Sequence, residues 1–148
     1  MLLDIDQILF ELSSIPDYDD QIGLQTVKNM KDPFYATGSI LNKDHSENEF
    51  TEFLFNIPYV NSIISELKMY RTRLMKMKPK TCYSYHQDYT KRIHIPLITN
   101  DKCFFVIDDE IIRCPANGNY YLIDTTKMHT FVNASFDYRL HIVGCVND

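Results

Sequence analysis

Two textures divide the chain near residue 70. Ahead of that point, Leu2, Leu3, Ile5, Ile8, Leu9 and Leu12 recur at a spacing that gathers one apolar helical face, and Ser13-Ser14-Ile15-Pro16 stops the run. The first 30 residues read as helical. Residues 32–48 hold Asp-Pro, Thr-Gly and Asn-Lys-Asp, which are turn formers, and read as irregular. A second helix is predicted over residues 58–69, with Val60, Ile63, Ile64 and Leu67 on its buried side.

Past Tyr70 the chain breaks into short runs rich in Ile, Val, Tyr, Phe and Thr, separated by polar turn sequences such as Pro-Ala-Asn-Gly-Asn. About seven strands are predicted: 71–78, 81–86, 92–98, 103–107, 110–113, 120–123 with 129–133, and 138–146. Strands at this spacing suggest a sandwich or barrel. Two facing sheets make a jelly roll, whose open mouth can hold a ligand. The fold class is therefore mainly β with N-terminal helices that buttress one sheet from outside. Residues 1–148 form one domain on this reading, with 1–70 as buttress and loop and 71–148 as the jelly-roll core.

Composition narrows the classes. The 148 residues are 45% hydrophobic and 24% charged, ordinary for a soluble domain, and with no Trp the Tyr and Phe residues must supply the core's bulk. A net charge of −5 argues against general nucleic-acid binding, and the basic run from Lys68 to Lys80 reads as a solvated face. The N-terminus carries acids where a signal peptide carries bases, and no run approaches a membrane span, so a soluble, cytoplasmic protein is expected. Cys82, Cys103, Cys114 and Cys145 lack paired spacing and read as free thiols.

The candidate chemistry lies in Y-H-Q-D-Y-T-K-R-I-H-I-P and, later, in I-D-T-T-K-M-H-T-F-V-N and R-L-H-I-V. A lone H-x-D decides little. On a strand, however, residues two apart share a face, so His86 and Asp88 can point together into a barrel. With His129 they form the two-imidazole, one-carboxylate set of a mononuclear Fe(II) site with open positions. The alternative is three unrelated surface or core residues, the reading accepted for His45. Arg92 with His94 and Arg139 with His141 are same-face pairs on otherwise apolar strands. A buried arginine needs an anion, and its planar fork suits a carboxylate. That anion is either a ligand or an internal acid such as Asp124. Arg73 shares parity with Met75 and Met77, so it either faces inward or sits at an exposed strand start. Asp124 and Asn133 flank His129 as turn formers or as groups that orient a ligand imidazole.

In this order the blocks H-Q-D, R-I-H-I-P-L, I-D-T-T-x-x-H-x-x-x-N and R-L-H-I-V resemble the aspartyl/asparaginyl β-hydroxylase family of Fe(II)- and 2-oxoglutarate-dependent oxygenases, over residues 71–146. The resemblance implies a cupin-like double-stranded β-helix with iron held by His86 and His129. It implies that Arg139 binds the far carboxylate of 2-oxoglutarate, with Arg92 and His94 near the metal-chelating end. The mammalian enzyme lacks the acidic ligand that Asp88 supplies here, and it offers the co-substrate a serine where this chain has Met75. The function expected is hydroxylation of an amino-acid, peptide or protein side-chain carbon, with conversion of 2-oxoglutarate to succinate. Two alternatives stay open: a cupin-like protein that holds a small acid without turnover, and an oxygen-independent metal enzyme. Substrate contacts are expected from Arg73 and, in the irregular segment, Tyr35.

Overall fold

The computed structural model describes residues 1–147. In chain order the elements are α1 (Ile5–Leu12), β1 (Gln21–Gly23), β2 (Gln25–Thr26), a 3-10 turn (Glu47–Glu49), β3 (Glu52–Phe53), α2 (Pro58–Glu66), β4 (Tyr70–Met77), β5 (Thr81–Cys82), β6 (Lys91–Ile98), β7 (Cys103–Ile107), β8 (Glu110–Ile112), β9 (Tyr121–Ile123), β10 (His129–Asn133) and β11 (Arg139–Val146). It is a mainly β protein with two helices and antiparallel sheets. One sheet runs β1-β4-β11-β6-β9, a second runs β5-β10-β7-β8, and β2 and β3 form a two-stranded ribbon.

Alternation along β6 and β11 sorts two kinds of face. Ile93, Ile95 and Leu97 of β6, with Leu140, Ile142 and Val146 of β11, join Ile8 and Leu12 of α1 and Val60, Ile63 and Ile64 of α2 in one apolar core. The helices thus cover the outside of the five-stranded sheet. Its other face carries Arg92, His94, Arg139 and His141, all buried. That polar face meets the smaller sheet through aromatic edges: His94 against Phe105 at 4.9 Å and His141 against Phe131 at 5.6 Å between ring centroids. Both faces of these strands are covered, so a polar position here means a cavity and not solvent.

Helix ends explain where the sequence expectation holds and where it stops. Asp4 caps α1 by accepting the Gln7 N–H at 3.1 Å, and the Ser13 and Ser14 hydroxyls turn back onto the Phe10 and Glu11 carbonyls. Helix therefore ends at Leu12 and does not continue toward residue 30. Beyond it, Ile22 and Leu24 are both fully buried and two apart, a strand spacing that places Gln21–Gly23 beside β4. Helix α2 starts on Pro58, and its preceding residue, Ile57, has no oxygen with which to cap it. The Glu11 carboxylate of α1 accepts the Tyr59 and Val60 N–H groups at 3.0 and 2.9 Å instead. Tyr59 in turn accepts the Asp4 N–H at 2.9 Å, so each helix start leans on the other helix.

A bulge sets the position of one arginine. Val143 pairs with Arg73 but Cys145 pairs with Tyr70, which leaves an extra residue on β4. Arg71 occupies it with φ +48°, a left-handed conformation that a side chain adopts at a cost of about 1–2 kcal/mol. Its N–H reaches the Phe50 carbonyl at 2.8 Å, outside the sheet.

Because Glu11 replaces a missing cap, Glu11→Ala should lower stability by about 0.5–2 kcal/mol. Urea denaturation should show a lower midpoint with an unchanged slope; an unchanged midpoint would mean that packing alone holds α2.

Candidate metal centre

His86, Asp88 and His129 come together at one end of the cavity between the sheets. Their available ligand atoms all lie within 4.8 Å of one another. Nε2 of His86 and Nε2 of His129 each stand 3.6 Å from an oxygen of Asp88. The two histidines face each other across an antiparallel bridge, exchanging N–H···O bonds of 2.9 and 2.8 Å. The Asp88 N–H is tied to the Thr125 carbonyl at 2.8 Å. Two chain segments, residues 86–88 and 125–129, thereby hold the three side chains together.

Each imidazole is also oriented from behind. Nδ1 of His86 lies 2.6 Å from the Ser84 carbonyl, and Nδ1 of His129 lies 2.8 Å from the Lys127 carbonyl. A carbonyl can only accept, so Nδ1 carries the proton and Nε2 presents its lone pair toward Asp88. Burial lowers the His129 pKa from its ordinary value, with the nearby His86 and Arg92 acting in the same direction against the Lys127 carbonyl and Asp88. A neutral imidazole is the form that binds a metal. His129 is buried while His86 and Asp88 are partly open, which leaves an approach from one side. The donor set and tautomers therefore fit a divalent metal with free coordination positions.

The cavity measures about 290 Å³ and is lined also by Arg71, Arg73, Met75, Tyr83, Arg92, His94, Phe105, Phe131 and Arg139. Four arginines in so small a space need an account. Arg71 is fully engaged: its guanidinium donates to the Ala36 and Gly38 carbonyls and to Glu47 at 2.6 Å. Arg92 reaches the same Glu47 oxygen at 3.0 Å and lies 3.6 Å from Asp88. Burial opposes the Arg92 charge, but Cys145, Asp88 and Glu47 outweigh it, and its pKa lies above the ordinary value. Arg139, fully buried, has no acid within ion-pair distance among the described residues. Its Nη2 meets the Tyr83 hydroxyl at 3.4 Å, its guanidinium lies 4.4 Å over the Phe131 ring, and its Nε has no partner. Burial lowers its pKa.

Glu47 is the buried acid that makes this arrangement possible. Its carboxylate takes Arg71 and Arg92 on one oxygen and the Thr90 hydroxyl at 3.1 Å on the other. The Cys145 thiol adds a contact at 3.3 Å. Burial alone would raise the Glu47 pKa, but Arg92, Arg71 and Cys145 reverse the shift and hold it below its ordinary value.

His94 pairs with His141 through Nδ1 atoms 3.0 Å apart. Both are buried and held well below the ordinary imidazole pKa, first by burial and then by Arg139, so both are neutral. Asp124 is a turn former: its carboxylate accepts from the Thr126 N–H and hydroxyl. Asn133 ties the chain together through the carbonyls of Met77, Lys78 and Asp137. Neither orients His129. Tyr35 lies outside the cavity lining, stacked on Phe50 at 5.6 Å with its hydroxyl 2.7 Å from Nδ1 of His45. The irregular segment still reaches the cavity, through Gly38. Glu47, Gln21 and Tyr83 escaped the sequence reading because their partners are remote in the chain and no local pattern marks them. All four cysteines are free thiols, and among the described residues no helix is long and apolar enough to cross a membrane.

Comparison with known proteins follows the same line. The profile of the aspartyl/asparaginyl beta-hydroxylase family matches residues 23–146. The chain belongs to that family, and the match reaches well upstream of residue 71 to include β2 and Glu47. No curated protein matches the chain. Among solved structures it is similar to the plu4264 protein of Photorhabdus luminescens, at 16% identity and a TM-score of 0.44 over 52% of this chain and 62% of that one. A cupin domain from Bordetella pertussis gives 12% identity and a TM-score of 0.45 over 52% of this chain and 80% of that one. The chain thus spans somewhat less than two thirds of the Photorhabdus protein.

Removing the Glu47 charge should leave two buried guanidiniums unpaired, so Glu47→Gln should cost about 3–5 kcal/mol at neutral pH. A carboxylate whose pKa is lower folded than unfolded stabilises the fold above the unfolded value, ordinarily 4.5, and loses that contribution as pH falls through the folded value. Stability below about pH 4.5 should therefore fall less steeply in the variant than in the native protein. Parallel acid profiles would show that other carboxylates set the acid limit.

Proposed function

We propose that the protein is an Fe(II)- and 2-oxoglutarate-dependent dioxygenase that hydroxylates an amino-acid, peptide or protein side-chain carbon. The observation that carries this reading is Arg139: a fully buried guanidinium with no acid, facing the cavity that holds two histidines and an aspartate. An uncompensated buried charge is costly, and a carboxylate ligand removes the cost. We read the strand orders β4-β11-β6-β9 and β5-β10-β7-β8 as the two halves of a double-stranded β-helix, with β1 added at an edge. Residues 71–148 would be its catalytic core and residues 1–70 a buttress that contributes Glu47 and Gln21.

His86, Asp88 and His129 would hold the iron on one face, leaving the other face open toward the cavity. When bound, the iron supplies the oxidising power for carbon hydroxylation, using oxygen and releasing succinate and carbon dioxide from 2-oxoglutarate. Arg139 would grip the far carboxylate through its Nε edge. Tyr83, whose hydroxyl already meets Arg139, would donate the second hydrogen bond that a serine gives in the mammalian relative and that Met75 cannot give. Arg92 and His94 would lie toward the metal-chelating end, where Arg92 stands 3.6 Å from Asp88. Phe105 and Phe131 wall the cavity and keep water from the reacting carbon.

His86→Ala and His129→Ala should each abolish Fe(II)-dependent succinate formation while the protein stays folded. Metal-dependent turnover of a substrate without oxygen would make this an oxygen-independent metal enzyme, and 2-oxoglutarate binding without turnover would make it an acid-binding protein. Arg139→Met separates ligand binding from folding. It should weaken 2-oxoglutarate binding by about 3–5 kcal/mol, yet raise the stability of the ligand-free protein, because a buried unpaired charge is gone. Calorimetric titration and thermal unfolding check the two halves. Loss of stability with intact 2-oxoglutarate affinity would give Arg139 a structural role only.

A further inference from the structure

We propose that the β1–β4 flank of the cavity is a second anion subsite, in which Arg73, oriented by Gln21, takes a carboxylate carried by the substrate itself. This rests on the oxygenase reading above and names the substrate class: a free amino acid or a peptide's terminal residue, recognised by its carboxylate.

Arg73 is buried at 4% exposure. Its Nη1 donates to Oε1 of Gln21 at 3.1 Å, and its Nε has no partner. Among the described residues no carboxylate lies within ion-pair distance of it. Burial and the neighbouring Arg71 and Arg92 charges push its pKa down to about 9, which marks a cation surrounded by its own sign yet still charged at neutral pH. Charge on the cavity wall is uneven. Glu47 serves Arg71 and Arg92, and Asp88 serves the metal ligands, which leaves Arg73 and Arg139 without acids.

One co-substrate cannot satisfy both. Arg139 opposes Met77 of β4, whereas Arg73 lies four residues earlier on that strand, about 13 Å away at roughly 3.3 Å per residue. Arg73 shares the level of Val143, with His94 on the far side of β11, about 10 Å off at two strand spacings. A five-carbon diacid running from the metal to Arg139 has both carboxylates engaged, and the β1–β4 flank stays open beside it. Gln21 holds one end of the Arg73 guanidinium and leaves the Nε edge for a two-point grip on a planar carboxylate. At the rim, Gln21 also accepts the Gly38 N–H at 3.5 Å, and no atom lies within 4 Å of where a Gly38 side chain would begin. The cavity, about 290 Å³, is at the small end of ligand sites, which run about 300–1,000 Å³. With a co-substrate in place it admits one residue's worth of substrate.

The test uses full-length protein loaded with Mn(II) and 2-oxoglutarate under nitrogen, titrated with free L-amino acids, N-acetyl amino acids, short peptides, and the C-terminal amide of each. At least one free acid should bind about tenfold or more tightly than its amide, a difference worth about 1.4 kcal/mol. A free amino acid preferred to its N-acetyl form and to peptides identifies a small-molecule substrate; the reverse identifies a peptide terminus. Arg73→Gln should erase the acid-over-amide preference while changing 2-oxoglutarate affinity by less than about threefold. Arg73→Lys, which keeps the charge without the fork, and Gln21→Met should reduce the preference, and they carry the test if Arg73→Gln does not fold. Acids and amides that bind the native protein alike, or not at all, would overturn the subsite. So would an Arg73→Gln variant that loses 2-oxoglutarate as Arg139→Met does. If 2-oxoglutarate itself fails to bind the native protein, the co-substrate reading falls, while the acid–amide comparison on the Mn(II) protein alone still judges Arg73.

Discussion

The Glu47 carboxylate is the point on which the inside of this molecule turns. Four guanidiniums face one small cavity, and an interior cannot hold that much charge of one sign without acids. Glu47 meets two of them with a single oxygen, from a 3-10 turn that belongs to neither sheet. The bulge at Arg71 exists in relation to it: a strained left-handed residue swings its guanidinium out of the strand to meet Glu47 and the Ala36 and Gly38 carbonyls. Because Arg92 also neighbours Asp88, the irregular segment, the bulge and the metal ligands share one chain of contacts. A disturbance of residues 36–47 would be felt at the His86, Asp88 and His129 cluster.

The polarity of the five-stranded sheet gives the site its character. In an ordinary half-exposed strand, alternate polar residues meet water. Here the helices seal the apolar face and the second sheet seals the polar one, so arginine and histidine are retained inside only with partners or for ligands. The His94–His141 pair and the Arg71–Glu47–Arg92 cluster are partnered. Arg73 and Arg139 meet only neutral groups, Gln21 and Tyr83, and among the described residues neither has an ion-pair partner.

Much of this was legible in the sequence, for a physical reason. The strands from β4 onward were readable, with β9 and β10 counted as one although they lie in different sheets, because period-two alternation and turn residues are local properties. The strand run predicted over residues 81–86 shows the limit: regular pairing ends at Cys82, because the register gains a residue before the His86–His129 bridge. The H-x-D spacing and the later histidine brought His86, Asp88 and His129 to notice, although the structure holds His86 on an isolated bridge and Asp88 in the loop after it, not on one strand face. Glu47 was not. It sits beside Ser46 and Glu49, whose reciprocal capping bonds are the local feature of that stretch, while its own partners lie 24 and 45 residues away. Helix overran its true end at Leu12 because apolar spacing alone cannot tell where a strand's two-residue beat takes over at Ile22 and Leu24.

The His86–His129 bridge would make binding of a metal at this cluster depend on strand register. Sliding β10 by one residue against its neighbours would turn His129 to the opposite face and bring Thr130 to the place of a ligand. A chain misaligned by that single step would also turn Phe131 out of its buried cluster, so the site and the core of the smaller sheet would be lost together. A metal bound to the three side chains would therefore add its binding energy to the register that Phe131 packing already favours.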